Sequence, residues 1–403
     1  MRTIYFEKNI PKIMLTAALR PIWPNVVFSR LSPTRLASIP EEPLPGSGWV
    51  RVNNRMCGIC ASDLHLVFVE ADPRISPAAL PGPDRLYLGH EILGEVTEVG
   101  QDATGLKVGD RVIMDYLETN CVASGIEPRC FHCQEGNYHL CEKALQENAP
   151  EGTGGGWGDS FTAYHSGLYR VPDELDDNAA MLIEPLAVGV RSALRRLPGA
   201  HQQALVVGSG MIGLAVIAAL RALSPDCHIT AMARYPQQAE MARNLGADEV
   251  VGQEDPYRAA ARITGGRVYT GSFKNHTMVG GFDVVYDCVG TGKTVQDSLR
   301  WTRAGGAVVL TGVYLKPMHV DLTPVWYREI DLIGLLTHGT EEWNGRKLST
   351  YDLTVELLMN GQLKSDGFIT HRYPLERWRE AVQTAGDKTS GAIKVVLDYR
   401  LEA

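Results

Sequence analysis

From Trp49 to about Val171 the chain runs in short β-type stretches punctuated by glycine, such as WVRVNN, GEVTEVG and GDRVIMD. Strand-sized runs at such close intervals predict a β-rich, barrel-like unit carrying long loops. The rhythm then changes. Ala204 to Val207 reads as a short buried strand, Met211 to Leu223 as a helix stopped near Pro225, His228 to Ala231 as a strand, and Pro236 to Leu245 as a helix ended at Gly246. Apolar runs at Phe282 to Asp287, Ala307 to Leu310 and Ile330 to Leu335, with a helical pattern around Lys293 to Arg303, continue the alternation. Strands alternating with helices predict a parallel, doubly wound sheet. A helical stretch from Ser349 to Met359 and a late strand at Ile393 to Leu397 are expected to return to the first unit. The sheet domain is therefore placed at 192–338, inserted into a discontinuous β-rich domain of 1–191 and 339–403. Gly265 to Gly281 is polar, bounded by glycine and without clear period, which predicts an extended surface loop. The proline-rich stretch before Trp49 yields no element.

Composition adds limits. With 403 residues, 44% of them hydrophobic, the chain has material for two domains with proper cores. The 47 acidic residues outnumber 39 basic ones, a net charge of −8, so no overall cationic field favours nucleic acid as a partner. No apolar run approaches the roughly 20 residues of a membrane span, and Ile13 to Leu19 lacks a clear cleavage site after it. A cytoplasmic protein without a membrane partner is expected. A chain of this length does not need disulfides, and several of its eight cysteines stand at metal-ligand spacing, so reduced thiols are expected.

Gly208-Ser209-Gly210-Met211-Ile212-Gly213 is a G-x-G-x-x-G that follows the strand ALVV and opens a helix. In that context the first glycine permits the tight turn, the second lets backbone approach a pyrophosphate, and the third lets helix and strand pack closely. The helix N-terminus offers its free N–H groups to the phosphates. At the tip of the next strand an NAD site usually carries a carboxylate for the ribose 2′-hydroxyl. Here the tip reads Met232-Ala233-Arg234-Tyr235. A small residue followed by Arg234 favours NADP, with Tyr235 near the adenine.

Two constellations suit metal. Glu127-x2-Cys130-x2-Cys133-x7-Cys141 is compact enough to close a tetrahedron around zinc, the structural type of site. The fourth ligand has two candidates: Glu127 has the regular spacing and is favoured, whereas Cys121 would supply the more usual sulfur. The other group is spread along the chain: Cys60 in GICASDLH, His90 and Glu91 in GHE, and Glu184 in IEPL. A catalytic zinc needs about three protein ligands and an exchangeable position, and Cys, His and Glu are suitable donors. Each residue alone also suits a buried or helix-start role; their combination with a dinucleotide loop changes the weight.

In order, GICASDLH, GHEILGEVTEVG, GDRV, the cysteine lobe at about 121–141, IEPLAVGV and GSGMIG resemble the zinc-dependent medium-chain dehydrogenase superfamily of alcohol and polyol dehydrogenases. The resemblance implies an α/β protein with a GroES-like β-barrel catalytic domain and a Rossmann cofactor domain, the active site lying in the cleft between them. It implies Cys60 and His90 as catalytic zinc ligands, with Glu184, where many relatives have cysteine, and Glu91 binding directly, through water or during turnover. Asp63 resembles the carboxylate that orients the ligand histidine. Ser62 and His65 resemble a proton relay, and Lys394 stands where the family often places a basic residue near the cofactor pyrophosphate. Cys57 is expected to pack.

The implied reaction is hydride transfer between an alcohol or polyol, or the matching aldehyde or ketone, and NAD(P), with NADP favoured over NAD. Two zincs per chain, a small-molecule substrate and a homo-oligomer, dimer or tetramer, are expected. The alternatives are a metal-free reductase or lyase of the same superfamily, and a zinc-lobe binding module joined to a nucleotide-sensing Rossmann domain. The long, proline-rich segment from His65 to Gly89, expected near the substrate entrance, and the run Gly158 to Tyr164 depart from the family pattern.

Overall fold

The structure, a computed structural model, describes residues 1–72, 74–75, 84–115, 120–123, 125–143 and 152–402. Part of the proline-rich segment between His65 and Gly89, residues 73 and 76–83, thus lies outside the described residues. The chain divides into two compact units, Met1–Glu184 with Phe368–Ala403 and Pro185–Gly367. Among the described residues no helix is long and apolar enough to cross a membrane.

The first unit is built on a seven-stranded sheet centred on Trp49–Gly58, which pairs antiparallel with Ile92–Val99, Ser160–Tyr164 and Lys394–Asp398. Strands Arg111–Met114 and Leu168–Arg170 extend one side, and Ile369–Tyr373 pairs with Lys394–Asp398 on the other. Val50, Val52, Met56 and Cys57 are fully buried, and the polar Arg51 and Asn54 between them are buried too, held by Glu98 and by the carbonyls of Gly155 and Gly158. Cys57 packs in the core with Ile92, Trp157 and Phe161. The stretch before Trp49, silent in the sequence, forms a strand Arg2–Glu7 between Thr34–Ser38 and Arg85–Tyr87 and a helix Ile10–Leu19 capped by Asn9.

The second unit holds a six-stranded parallel sheet in the spatial order Glu249–Val251, His228–Met232, Gln203–Val207, Phe282–Asp287, Thr302–Leu310, Asp331–Gly334. Numbered along the chain, that order is 3-2-1-4-5-6, the doubly wound arrangement expected from the alternating pattern. Helix Met211–Leu223 buries nine residues, consistent with its mostly apolar circumference.

Two expectations change. Gly265 to Gly281 is not an extended loop: Arg267–Thr270 and His276–Val279 pair as an antiparallel hairpin, with Phe273 in the left-handed region at its turn (φ 61°). Among the described side chains of this hairpin only Met278 is fully buried, and one inward anchor is too little to display a period of two. The division of the chain also moves from the expected 191/192 and 338/339. Residues 185–191 and 339–367 belong to the parallel-sheet unit. Arg191 pairs with Glu341 at 2.7 Å, Thr350 Oγ1 donates to Glu341 at 2.8 Å, and helix Thr350–Met359 starts at Ser349, whose hydroxyl accepts from the Asp352 amide.

Candidate metal centres and dinucleotide loop

The short helix Ala61–Val67 follows Cys60 directly, and Asp63 in its first turn is the residue that organises the site. Its carboxylate accepts from the Cys60 amide at 3.0 Å and from the Gly89 amide at 3.2 Å. One buried side chain thus fixes the backbone at both Cys60 and the start of Gly89-His90-Glu91. Asp63 Oδ1 also lies 3.7 Å from His90 Nδ1. Donor atoms of Cys60, His90 and Glu91 all lie within 4.8 Å of one another. Glu184, which opens helix Ile183–Arg195 just before Pro185, is buried in the same unit.

The electrostatics of this group are unusual for an interior. Asp63, Glu91 and Glu184 are 3%, 1% and 8% exposed, and a buried carboxylate requires a counter-charge or a proton. Burial raises Asp63 above the usual carboxylate range. Burial and then the charge of Glu91 push Glu184 up to about 7. His90 is driven the other way from what burial alone would do: desolvation works against its charged form, and Asp63 and Cys60 more than offset it. A divalent cation accommodates such a set better than protons do, and the soft and hard donors present suit zinc.

Lys394 was expected beside the cofactor pyrophosphate. In the structure its Nζ donates to both oxygens of Glu91, at 2.7 and 2.6 Å, with the pair almost wholly buried. The pairing has a simple cause: Lys394 begins the strand paired with Trp49–Gly58, which turns its side chain inward, where an ammonium requires a carboxylate. Sequence reasoning missed the pair because its members are 303 residues apart.

On the same helix, Ser62 Oγ is buried and finds no hydrogen-bond partner among the described residues. His65, one turn on, hydrogen-bonds Glu70 through Nδ1 at 2.9 Å. An orphaned hydroxyl thus stands three residues from a partly exposed imidazole on one short helix.

The second cluster contains Cys121, Cys130, Cys133 and Cys141, with sulfurs within 4.8 Å of each other. The separations of Cys121 and Cys130 from Cys141 are 3.7 and 3.9 Å. A zinc–sulfur bond of about 2.3 Å gives a tetrahedron edge of about 3.8 Å, whereas a disulfide requires about 2.05 Å. Backbone amides of Cys130 and Lys143 point at the sulfurs of Cys121 and Cys141. Despite burial, hydrogen bonds pull Cys130 down to about 6, while Cys133 and Cys141 are pushed up by burial. Four crowded sulfurs cannot all ionise without a cation among them. Glu127, expected as the fourth ligand, is not in the group: its side chain is 71% exposed and pairs with Arg129 at 3.3 Å. Regular spacing pointed to Glu127, but the chain folds back from Cys121, whose carbonyl accepts from Ile126.

In the second unit Gly208 adopts φ 90°, which a side chain would resist, and a Cβ at Gly213 would strike the Gly208 carbonyl. A Cβ at Gly210 would meet nothing within 4 Å, so the space over the middle glycine is open to a ligand. Met211 and Ile212 begin the helix there. Ser209, not singled out from sequence, donates to the Met232 carbonyl at 3.0 Å and ties this loop to the neighbouring strand. At that strand's tip Ala233 is buried, its amide bonded to Val251 O at 3.0 Å. Arg234 is exposed, lies 5.8 Å from the ring centroid of Tyr235, and has no carboxylate partner among the described residues.

Known proteins resemble this chain along most of its length. Residues 46–173 match the alcohol dehydrogenase GroES-like domain and residues 212–350 match the zinc-binding dehydrogenase family. L-idonate 5-dehydrogenase of Vitis vinifera is 31% identical over 356 residues, covering 87% of each chain. Sorbitol dehydrogenase of Arabidopsis thaliana is 31% identical over 362 residues, 88% of this chain and 90% of that one. Among solved structures, 2R,3R-butanediol dehydrogenase from Bacillus subtilis superposes with a TM-score of 0.70 at 26% identity, over 91% of this chain and 96% of its own. The chain therefore belongs to the zinc-dependent medium-chain dehydrogenase superfamily, with a GroES-like domain and a Rossmann-type parallel sheet.

Proposed function

We propose that this protein is an oxidoreductase that uses zinc to transfer hydride between a polyol or alcohol, or the matching carbonyl compound, and NAD(P), with NADP preferred. The observation that carries this reading is the convergence of Cys60, His90 and Glu91 donors in a buried, carboxylate-rich site. A polyol is favoured over a simple alcohol because the relatives named above act on L-idonate, sorbitol and butanediol by their names.

Zinc, when bound, supplies a Lewis acid that lowers the pKa of a substrate hydroxyl, and the nicotinamide supplies the hydride acceptor. Cys60 and His90 hold the metal. Glu184 and Glu91 are the carboxylates at its margin. Asp63 fixes both ligand segments and the His90 ring through its contacts with Cys60, Gly89 and His90. Ser62, whose hydroxyl lacks a partner among the described residues, receives the substrate proton, and His65 passes it toward solvent with Glu70 holding the imidazole. The four cysteines Cys121, Cys130, Cys133 and Cys141 hold a second, structural zinc. Gly208, Gly210 and Gly213 with the first turn at Met211 and Ile212 cradle the pyrophosphate. Arg234 receives the 2′-phosphate at Ala233, and Tyr235 flanks the adenine. The active unit is a homo-oligomer working on a small molecule.

The test is a panel of polyols, alcohols and carbonyl compounds assayed for reduced-nicotinamide absorbance with each cofactor, alongside zinc analysis. Turnover of a vicinal diol by a preparation holding two zincs per chain is expected. Lack of turnover across the panel in such a preparation would overturn the reading.

A further inference from the structure

We propose that Asp287 is a positioning residue for the cofactor: it binds together the loops that shape the nicotinamide half of the dinucleotide site. The inference rests on the dinucleotide-dependent reading above. In a doubly wound sheet the ligand lies outside the carboxyl ends of the strands where the strand order reverses. Here that point falls between Gln203–Val207 and Phe282–Asp287, and Asp287 is the last residue of its strand.

Asp287 is wholly buried and has no cationic partner among the described residues. Its Oδ1 accepts from the amides of Val289 at 3.0 Å and Gly290 at 3.3 Å. Its Oδ2 accepts from Thr294 Oγ1 at 3.0 Å and from the Tyr314 hydroxyl at 3.2 Å. The Asp287 carbonyl accepts from the amides of Thr311 at 2.9 Å and Gly312 at 2.8 Å, just beyond the neighbouring strand Thr302–Leu310. Next to it the Cys288 amide donates to Val207 O at 3.0 Å. Asp287 itself therefore joins the carboxyl ends of its own strand and of Thr302–Leu310, and its neighbour Cys288 adds the link to Gln203–Val207.

The loops it joins are packed with no room to spare. A Cβ on Gly312 would lie 2.5 Å from the Gly290 nitrogen, and one on Gly290 would lie 2.7 Å from the Val313 carbonyl. The Val289 side chain covers the face of Gly208, where any Cβ would run into it. Val289 thus borders the phosphate loop itself. A buried carboxylate satisfied only by neutral donors is costly compared with an apolar side chain. Every group it holds here belongs to a loop on the ligand-facing ends of the strands or to the helix that follows.

The two mononucleotide halves of the fold make the inference specific. Strands Gln203–Val207, His228–Met232 and Glu249–Val251 carry the glycine loop and the Ala233–Arg234 tip, the adenosine half. The loops held by Asp287 follow Phe282–Asp287 and Thr302–Leu310, the other half. Disturbing Asp287 should weaken binding of the whole dinucleotide and leave an adenosine fragment untouched. A residue that merely supports the fold would affect both alike.

The experiment measures, on the full-length zinc-loaded protein, the Kd of whichever of NADH and NADPH binds tighter, by fluorescence titration. The Kd of the matching fragment, ADP or 2′,5′-ADP, is measured in parallel. Asp287→Asn turns an acceptor into a donor opposite donors and is expected to weaken dinucleotide binding about tenfold, with the fragment within about twofold of the parent. Tyr314→Phe removes one donor from the network without adding a conflict, and should shift the same ratio by about threefold. It decides the matter if the asparagine variant does not fold. Equal weakening of dinucleotide and fragment, or unchanged dinucleotide binding in both variants, overturns the proposal. Failure of the parent protein to bind either dinucleotide overturns the functional reading itself, and the proposal with it.

Discussion

Glu91 and Lys394 form a closed ion pair: both carboxylate oxygens accept from one ammonium, with side chains 1% and 3% exposed. Glu91 also has an oxygen within reach of the Cys60 and His90 donors, so on the proposed zinc reading Lys394 and the metal share its charge. Removing one partner of a buried pair leaves the other unpaired, at a cost of about 3–5 kcal/mol. Lys394→Met should lower the urea midpoint accordingly, and Glu91→Gln combined with Lys394→Met should restore most of the loss. A double variant as unstable as the single one would show that the lysine acts through packing instead.

For Cys60→Ala and His90→Ala, turnover should be lost while secondary structure and dinucleotide binding stay near those of the parent. A catalytic zinc contributes electrophilic activation more than scaffold stability. Zinc content should fall from two to one per chain on the functional reading above. Retention of both zincs with activity intact would remove Cys60 and His90 from the ligand set.

At the cysteine lobe, Cys121 and Glu127 make opposite predictions. Cys121→Ser should release one zinc and lower the melting temperature, because the sulfurs of Cys121, Cys130, Cys133 and Cys141 cluster. Glu127→Gln should change neither, since its carboxylate is exposed beside Arg129. The reverse pattern in a metal assay would return Glu127 to the site.

What was legible in the sequence was whatever depends on neighbours along the chain. The glycines at 208, 210 and 213 serve a turn and a helix start that they themselves form, and Cys130-x2-Cys133 approaches through a single helical turn. The parallel sheet was legible because its central strands are buried on both faces and separated by helices. Relationships made by topology were not. Glu91 meets Lys394 only because strand Lys394–Asp398 returns to pair with Trp49–Gly58, and Cys121 enters the lobe through a chain reversal that spacing does not encode. The hairpin at Arg267–Thr270 and His276–Val279 carries no legible strand pattern because so much of it faces outward.

Acid sensitivity should centre partly on Asp398. Burial alone would raise its carboxyl, but hydrogen bonds from Arg400 and Arg372, at 2.8 and 3.0 Å, hold it below its ordinary value of 3.8. A depressed folded-state pKa stabilises the fold above the unfolded value, and that contribution disappears as pH falls through the lower, folded one. Asp398→Asn should therefore cost about 1.5–3 kcal/mol at neutral pH and flatten the loss of stability below pH 4. Urea midpoints measured from pH 6 downward check this; parallel curves for parent and variant would exclude Asp398 as a source of acid lability.

Cofactor choice follows from the strand tip at Ala233 and Arg234. Ala233 offers no carboxylate to hold an NAD ribose or repel a 2′-phosphate, and the exposed guanidinium of Arg234 is not engaged by a carboxylate among the described residues. Charge-assisted bonds to a phosphate contribute about 1.5–3 kcal/mol, or about one to two powers of ten in affinity, reduced by screening at an exposed site. NADP should accordingly be preferred over NAD by about tenfold in kcat/KM. Arg234→Ala should erase that preference, and Ala233→Asp combined with Arg234→Ala should invert it, since a carboxylate there accepts from the ribose hydroxyls and opposes the phosphate. The four kcat/KM values for parent and double variant decide the point. A parent that favours NAD would mean that Arg234 stays in solvent when the dinucleotide binds, leaving the ribose to be recognised by backbone at the strand tip.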